Sequence, residues 1–216
     1  MVPTRASRAP GRSDRCRGGA NDAEAAAGLY PAATHPPAPM TPAAGPLTPD
    51  ARLRAEIVDR LLGGHASVTA DLATENIPGA LVNARPAGAA HSLWELVWHV
   101  GFTQSDILRF CLEPDYRAPA WPEAYWPGHE AGAGEWNGTV AAFFADRDRL
   151  VALVRDPATD LTAEFPHAPG YTVLREALLA AEHAAYHVGQ IVHVRRALGI
   201  WPPAEADDAA APPSGH

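Results

Sequence analysis

The chain has 216 residues, 47% of them hydrophobic, which suffices for one sizeable core and favours one domain over two. Its formal charge of −8 opposes a nucleic-acid footprint, which needs clustered positive charge, and all 17 basic residues are Arg, so no lysine is present for Schiff-base chemistry. No run of about 18 apolar residues marks a membrane span, and Cys16 and Cys111 form neither a CxxC nor a metal-finger pattern, so the expectation is a cytoplasmic protein of a reducing compartment.

Residues 1–47 are crowded with Pro, Ala, Gly and Arg and show neither a helical nor a strand period, which predicts disorder. Five arginines there (Arg5, Arg8, Arg12, Arg15, Arg17) stand against three acids, a balance that also suits a targeting peptide. The lack of an apolar stretch and of a twin-Arg pair speaks against a secretory signal. Met40, just ahead of the first helical pattern, is an alternative start of the native chain.

From Thr48 the pattern turns helical. Thr48 suits an N-cap with Pro49 in the first turn, and Leu53, Ile57, Val58, Leu61 and Leu62 recur at helical spacing until Gly63-Gly64. A short helical piece is expected over 67–74, then a loop over 77–90 carrying Pro78, Gly79, Pro86 and Gly88. Residues 91–112 read as a strong helix that stops before Pro114, followed by a proline-rich loop through Trp121-Pro122 and Trp126-Pro127 to Gly132 and Gly134. A further helix over 135–154 offers Val140, Phe143, Phe144, Leu150, Val151 and Val154 to a core. Thr172 opens the last long helix, which Gly199 and Pro202 close, with Arg195 and Arg196 suited to the negative end of its dipole. No segment alternates with a period of two. The architecture this implies is an all-α four-helix bundle over 48–201 with long loops and disordered termini, the second over 202–216.

His183 and His187 lie four residues apart on that last helix, one turn from each other on one face. Such a pair is little rarer than chance among ten histidines, so its surroundings must carry the weight. At 100° per residue, Val173, Leu179, Ala180, Ile191, Val194 and Leu198 share its sector with Glu176 and Gln190, while Glu182, His193 and Arg196 fall opposite. Two inward histidines need partners, and either a metal or hydrogen bonds within a core would satisfy them. On the helix over 91–112, Ser92, Glu95, His99, Thr103 and Asp106 form one polar stripe. It reads either as a solvent face or as the lining of a pocket in which His99 faces the pair, with Glu95 and Asp106 as candidates for orienting a ligand or moving a proton. Trp121, Tyr125 and Trp126 either wall a pocket mouth as substrate contacts or bury a long loop. His91 is expected in a capping or surface role.

The string His91-Ser92-Leu93-Trp94-Glu95-Leu96-Val97-Trp98-His99-Val100, the motifs Trp121-Pro122 and Tyr125-Trp126-Pro127, and His183-Ala184-Ala185-Tyr186-His187-Val188-Gly189-Gln190 with Arg195-Arg196-Ala197-Leu198-Gly199 together resemble the DinB family. This is also called the DinB/YfiT-like superfamily, to which metalloenzyme activity is attributed; the resemblance spans about 48–201. It implies a four-helix bundle holding a divalent metal with His99, His183 and His187. Many relatives carry Asn where this chain has Ala184, a position that is not a ligand, so a neighbouring hydrogen bond is in doubt rather than the site.

Three imidazoles and an open position suit zinc, nickel or iron as a Lewis acid. The reactions implied are S-transfer from a low-molecular-weight thiol such as mycothiol or bacillithiol, which resembles the activity of some relatives, or hydrolysis. A non-catalytic metal-binding stress or structural protein is the third reading. The peptidase pattern HExxH is absent, with Ala184 in place of its Glu. A small-molecule substrate is expected, with no nucleic acid and no membrane partner. The apolar excess of the helix over 91–112 points, with the family's habit, to a homodimer.

Overall fold

In the computed structural model, which describes residues 47–203, the chain is an all-α protein built on four long helices. The readings of disorder and of a start at Met40, together with Cys16, fall outside these residues except at 47, 202 and 203. Helix α1 (Pro49–Leu62) starts where Thr48 Oγ1 accepts a hydrogen bond from Ala51 N at 3.1 Å and ends at Gly63, whose φ of 76° is costly for any residue with a Cβ. Helix α2 (Ala70–Thr74) is shorter than the expected 67–74, because Thr69 caps it. The loop that follows contains a 3-10 turn at Gly79–Leu81.

Helix α3 (Leu93–Leu112) opens with a reciprocal cap. Glu95 N donates to Ser92 Oγ at 3.2 Å, and Ser92 N donates to Glu95 Oε2 at 2.7 Å, so two otherwise orphaned donors are satisfied at once. Helix α4 (Glu135–Arg155) follows the long loop, and α5 (Val173–Ala197) is capped by Thr172 Oγ1, which accepts from Arg175 N at 3.2 Å. Between them lies an antiparallel hairpin, β1 (Glu164–Phe165) and β2 (Ala168–Thr172), which period-two reasoning does not reveal. The reason is local: β1 has two residues, and β2 reads Ala-Pro-Gly-Tyr-Thr with Gly170 at φ 85°, too short and irregular to alternate.

Helix α3 packs on α4 and α5, and α1 packs on the same two helices, so α1 and α3 stand diagonally across the bundle. Two apolar clusters fill the interior. One joins Ile57, Leu61, Ile107, Leu108, Leu150 and Val154 to Val173 and Ala177 from the first half of α5. The other joins Leu93, Trp94, Val97 and Trp136 to Val188, Ile191 and Val194 from its second half. Between the clusters, α3 and α5 present His99, Asp106, His183 and His187. The apolar circumference of α3 is thus consumed inside the chain.

Two expectations about facing are corrected. Leu53 and Leu62 are 41% and 36% exposed, and the buried group of that turn is Arg54, which donates to the carbonyls of Val154, Asp156 and Thr159 at 2.8–2.9 Å. Leu179 is 40% exposed. Arg195, in the last turn as expected, does more than serve the end of its own helix; it is fully buried and donates to Leu72 O and Ala73 O at 3.2 and 2.8 Å as well as to Ile200 O, with its guanidinium over Trp201. Among the described residues no helix is long and apolar enough to cross a membrane.

Candidate metal centre

His99 lies two turns into α3 and is 4% exposed, so its ring nitrogens must find partners within the fold. Nδ1 stands 2.7 Å from Tyr125 O. A carbonyl oxygen only accepts, which assigns the ring proton to Nδ1 and leaves a lone pair on Nε2. That Nε2 faces His183 Nε2 at 3.1 Å. His187, one turn further along α5, donates from Nδ1 to Gln190 Oε1 at 2.7 Å, which frees its Nε2 in the same way. The three rings converge, with centroids 4.5–5.0 Å apart, and one nitrogen from each lies within 4.8 Å of the others.

Burial keeps these imidazoles neutral. It pushes His183 down to about 3, helped by His187 and His99, and pushes His187 down to about 4, helped by His99. His99 is also lowered by burial, against the hydrogen bond it donates to Tyr125 O, which raises it. Neutral imidazole is the form that ligates a metal. Across a tetrahedral ion with Zn–N bonds of about 2.0–2.1 Å, two nitrogens stand roughly 3.3–3.4 Å apart. The 3.1 Å between His99 and His183 is close to that span, and with all three nitrogens inside 4.8 Å of one another the donor set suits a divalent cation in its chemistry.

The sequence profile of the DinB superfamily matches residues 65–191, more than half of the chain and all three histidines. The chain belongs to the DinB superfamily. No curated protein and no solved structure gives a significant match to it.

In this DinB protein the groups around the histidines come from the long loop between α3 and α4. Trp126 stacks on His99 at 4.2 Å with 4° between the planes, and also on His91 at 4.0 Å with 11°. His91 therefore supports the ring that covers a candidate ligand, a role beyond the expected surface or capping one. Tyr125 acts at both ends: its carbonyl accepts the hydrogen bond from His99 Nδ1, and its hydroxyl donates to Asp106 Oδ2 at 2.6 Å. Tyr116 donates to Asp106 as well, at 2.9 and 3.0 Å. Burial and Asp106 push Tyr125 up to about 12 and move Tyr116 in the same direction, so both stay protonated donors. The polar stripe of α3 thus lines the interior over His99, Thr103 and Asp106.

Glu95 stands apart. Its oxygens are spent on Ser92 N and on Arg85, at the entrance of α3, and it is not part of the histidine group. Desolvation works to raise its carboxyl, but the hydrogen bonds from Ser92 and Arg85 outweigh this and hold it below the usual range. Trp121 is 70% exposed; its ring stands 5.0 Å from that of Tyr125, and both line the pocket beside His183. Tyr116 and Gln190 were not singled out as site residues by spacing: one sits in an irregular loop, and the other is ordinary until His187 needs an acceptor.

A pocket of about 590 Å³ opens beside His183, with Asp106 and Tyr125 in its wall. Hollows of about 650 and 600 Å³ along α1 and the end of α4 contain no histidine and lie away from this chemistry. Cys111 is half-buried, and burial with the nearby Glu176 pushes its thiol up to about 12, so it is no ready nucleophile.

Proposed function

We propose that the protein is a metal-dependent enzyme in which His99, His183 and His187 hold a divalent cation and the adjoining pocket holds an organic substrate. The reaction proposed is transfer of that substrate to a low-molecular-weight thiol. The observation that carries the reading is the convergence of three neutral imidazole nitrogens within 4.8 Å at the edge of a pocket of small-molecule size. Zinc, nickel or iron bound there would supply a Lewis acid that lowers the pKa of a thiol or of water.

The chain's own groups favour the thiol over water. Hydrolysis needs a base to take the water proton; Glu95 is committed to the α3 cap and Arg85, Asp106 already accepts from two tyrosine hydroxyls, and Glu176 is bonded to Arg175. A thiol, with an ordinary pKa near 8.5, ionises with far less help. In the transfer its sulfur bonds to an electrophilic carbon, the leaving group departs with the bonding pair, and the thiol proton passes to solvent.

The test combines metal analysis with turnover. Protein purified without chelator should contain close to one divalent ion per chain, and His99→Ala and His187→Ala should lose it. With 1-chloro-2,4-dinitrobenzene as electrophile, chloride should be released faster than in the enzyme-free reaction when mycothiol or bacillithiol is added. Ester turnover without any thiol, abolished by His187→Ala, would instead favour hydrolysis. Metal without either turnover would favour a non-catalytic role.

A further inference from the structure

The pocket beside His183 carries more negative charge than its own residues neutralise. Asp106 and Glu176, 8% and 4% exposed, both line it, and the cation that lines it with them is Arg175. That guanidinium is already committed, bonded to Glu176 Oε1 and lying 4.2 Å over the Tyr171 ring. Glu176 makes this one hydrogen bond, so its Oε2 has no donor among the described residues although the side chain borders the cavity. Asp106 accepts hydrogen bonds from the neutral hydroxyls of Tyr116 and Tyr125 and makes no ion pair among the described residues.

A third acceptor stands beside them. Thr103 Oγ1, on the pocket wall, is shielded from solvent and has no hydrogen-bond partner. Buried acceptors left in this state cost free energy that a donor-bearing guest would recover. The lining also includes the aromatic rings of Tyr116, Tyr125 and Phe110, a residue type whose ring faces attract positive charge. Burial also pushes the Glu176 carboxyl above its ordinary range, as expected of a carboxylate short of compensating charge.

We infer that this pocket takes a substrate bearing a protonated amine, with the ammonium N–H groups donated to Glu176, Thr103 and Asp106 and the remainder of the molecule directed toward His183. This rests on the proposed enzyme only in calling the guest a substrate. An ammonium supplies up to three donors and one positive charge, which matches three acceptors and the net charge of two carboxylates and one guanidinium. A carboxylate or phosphate guest would meet Glu176 and Asp106 as like charges.

The experiment is calorimetric titration of 2-phenylethylamine, 2-phenylethanol and phenylacetate at neutral pH, on protein as purified and after metal removal with a chelator. The amine should bind at least about tenfold tighter than its neutral and anionic counterparts. In Glu176→Gln that preference should fall to about threefold or less while 2-phenylethanol binds as before, which reports that the pocket still folds. Equal affinities, preference for phenylacetate, no binding of any probe, or a preference untouched by Glu176→Gln would overturn the inference. Amine preference in a protein that holds no metal would leave the inference standing and remove the metal site; metal without amine preference would do the reverse.

Discussion

His99 is oriented by a peptide carbonyl, and that carbonyl belongs to a residue whose own hydroxyl is held by Asp106. Asp106 therefore acts on the candidate metal at one remove, as a positioning residue. Replacing it with Asn leaves an acceptor of similar shape but weakens the charge-assisted bond to Tyr125, and the loop that carries the carbonyl gains freedom. Asp106→Asn is expected to lower zinc affinity about 10-fold, within the range typical for groups behind a ligating histidine. Competition against a chromogenic zinc chelator measures this, and Tyr125→Phe should reproduce it. A variant that folds normally and binds zinc as tightly as the parent would disconnect Asp106 from the site. The residue scale is also where spacing alone ran out. The helical wheel placed His99, Thr103 and Asp106 on one stripe but left open which way the stripe faced, because that depends on a loop whose Tyr116, Tyr125 and Trp126 have no period.

At the level of elements, two buried arginines do what local caps do elsewhere. Arg54 reaches from α1 to the carbonyls that end α4, and Arg195 reaches from α5 to those that end α2. Each guanidinium thereby satisfies acceptors that a helix C-terminus leaves unpaired, and fastens two elements together. Arg195→Ala would strand the carbonyls of Leu72 and Ala73 and empty a fully buried volume. A loss of about 3–5 kcal/mol is expected, read from urea denaturation with zinc absent so that metal binding does not mask it. A loss below about 1 kcal/mol would mean that water replaces the guanidinium without difficulty. Helix starts were legible from Thr48 and Thr172, because a capping side chain bonds within three residues of itself, whereas the Ser92–Glu95 cap was not singled out and the start of α3 was placed two residues early. The reach of Arg195 to α2 was not legible for the converse reason: its carbonyl partners there lie 122 and 123 residues away.

Across the whole molecule, a polar layer separates two apolar clusters, and the candidate metal site lies in that layer between α3 and α5. A ligand confined to the folded state stabilises it by mass action, so stripping the metal is expected to lower Tm by several degrees, about 4 °C or more for a domain of this size. Differential scanning fluorimetry with and without chelator checks this, and His183→Ala should be insensitive to the chelator. The proposed homodimer no longer draws on α3, whose apolar surface is buried within its own chain. It rests instead on Leu178 and Tyr186, exposed at 48% and 64% two turns apart on α5. Light scattering coupled to size exclusion should give twice the 22.8 kDa chain mass, and Tyr186→Glu should reduce it to one.

Because His99 and His183 are 84 positions apart, an ion shared between them closes a ring of chain that holds the long aromatic loop, all of α4 and the hairpin. Such a ring behaves as a reversible cross-link. It cannot form before α3 and α5 have docked, and once formed it lowers the entropy of any state in which they part. A protein nicked in the loop over 114–134 would then be two fragments held by the packing of α1 and α3 on α4 and α5 and, in addition, by a coordination bond, so free metal would tighten their association.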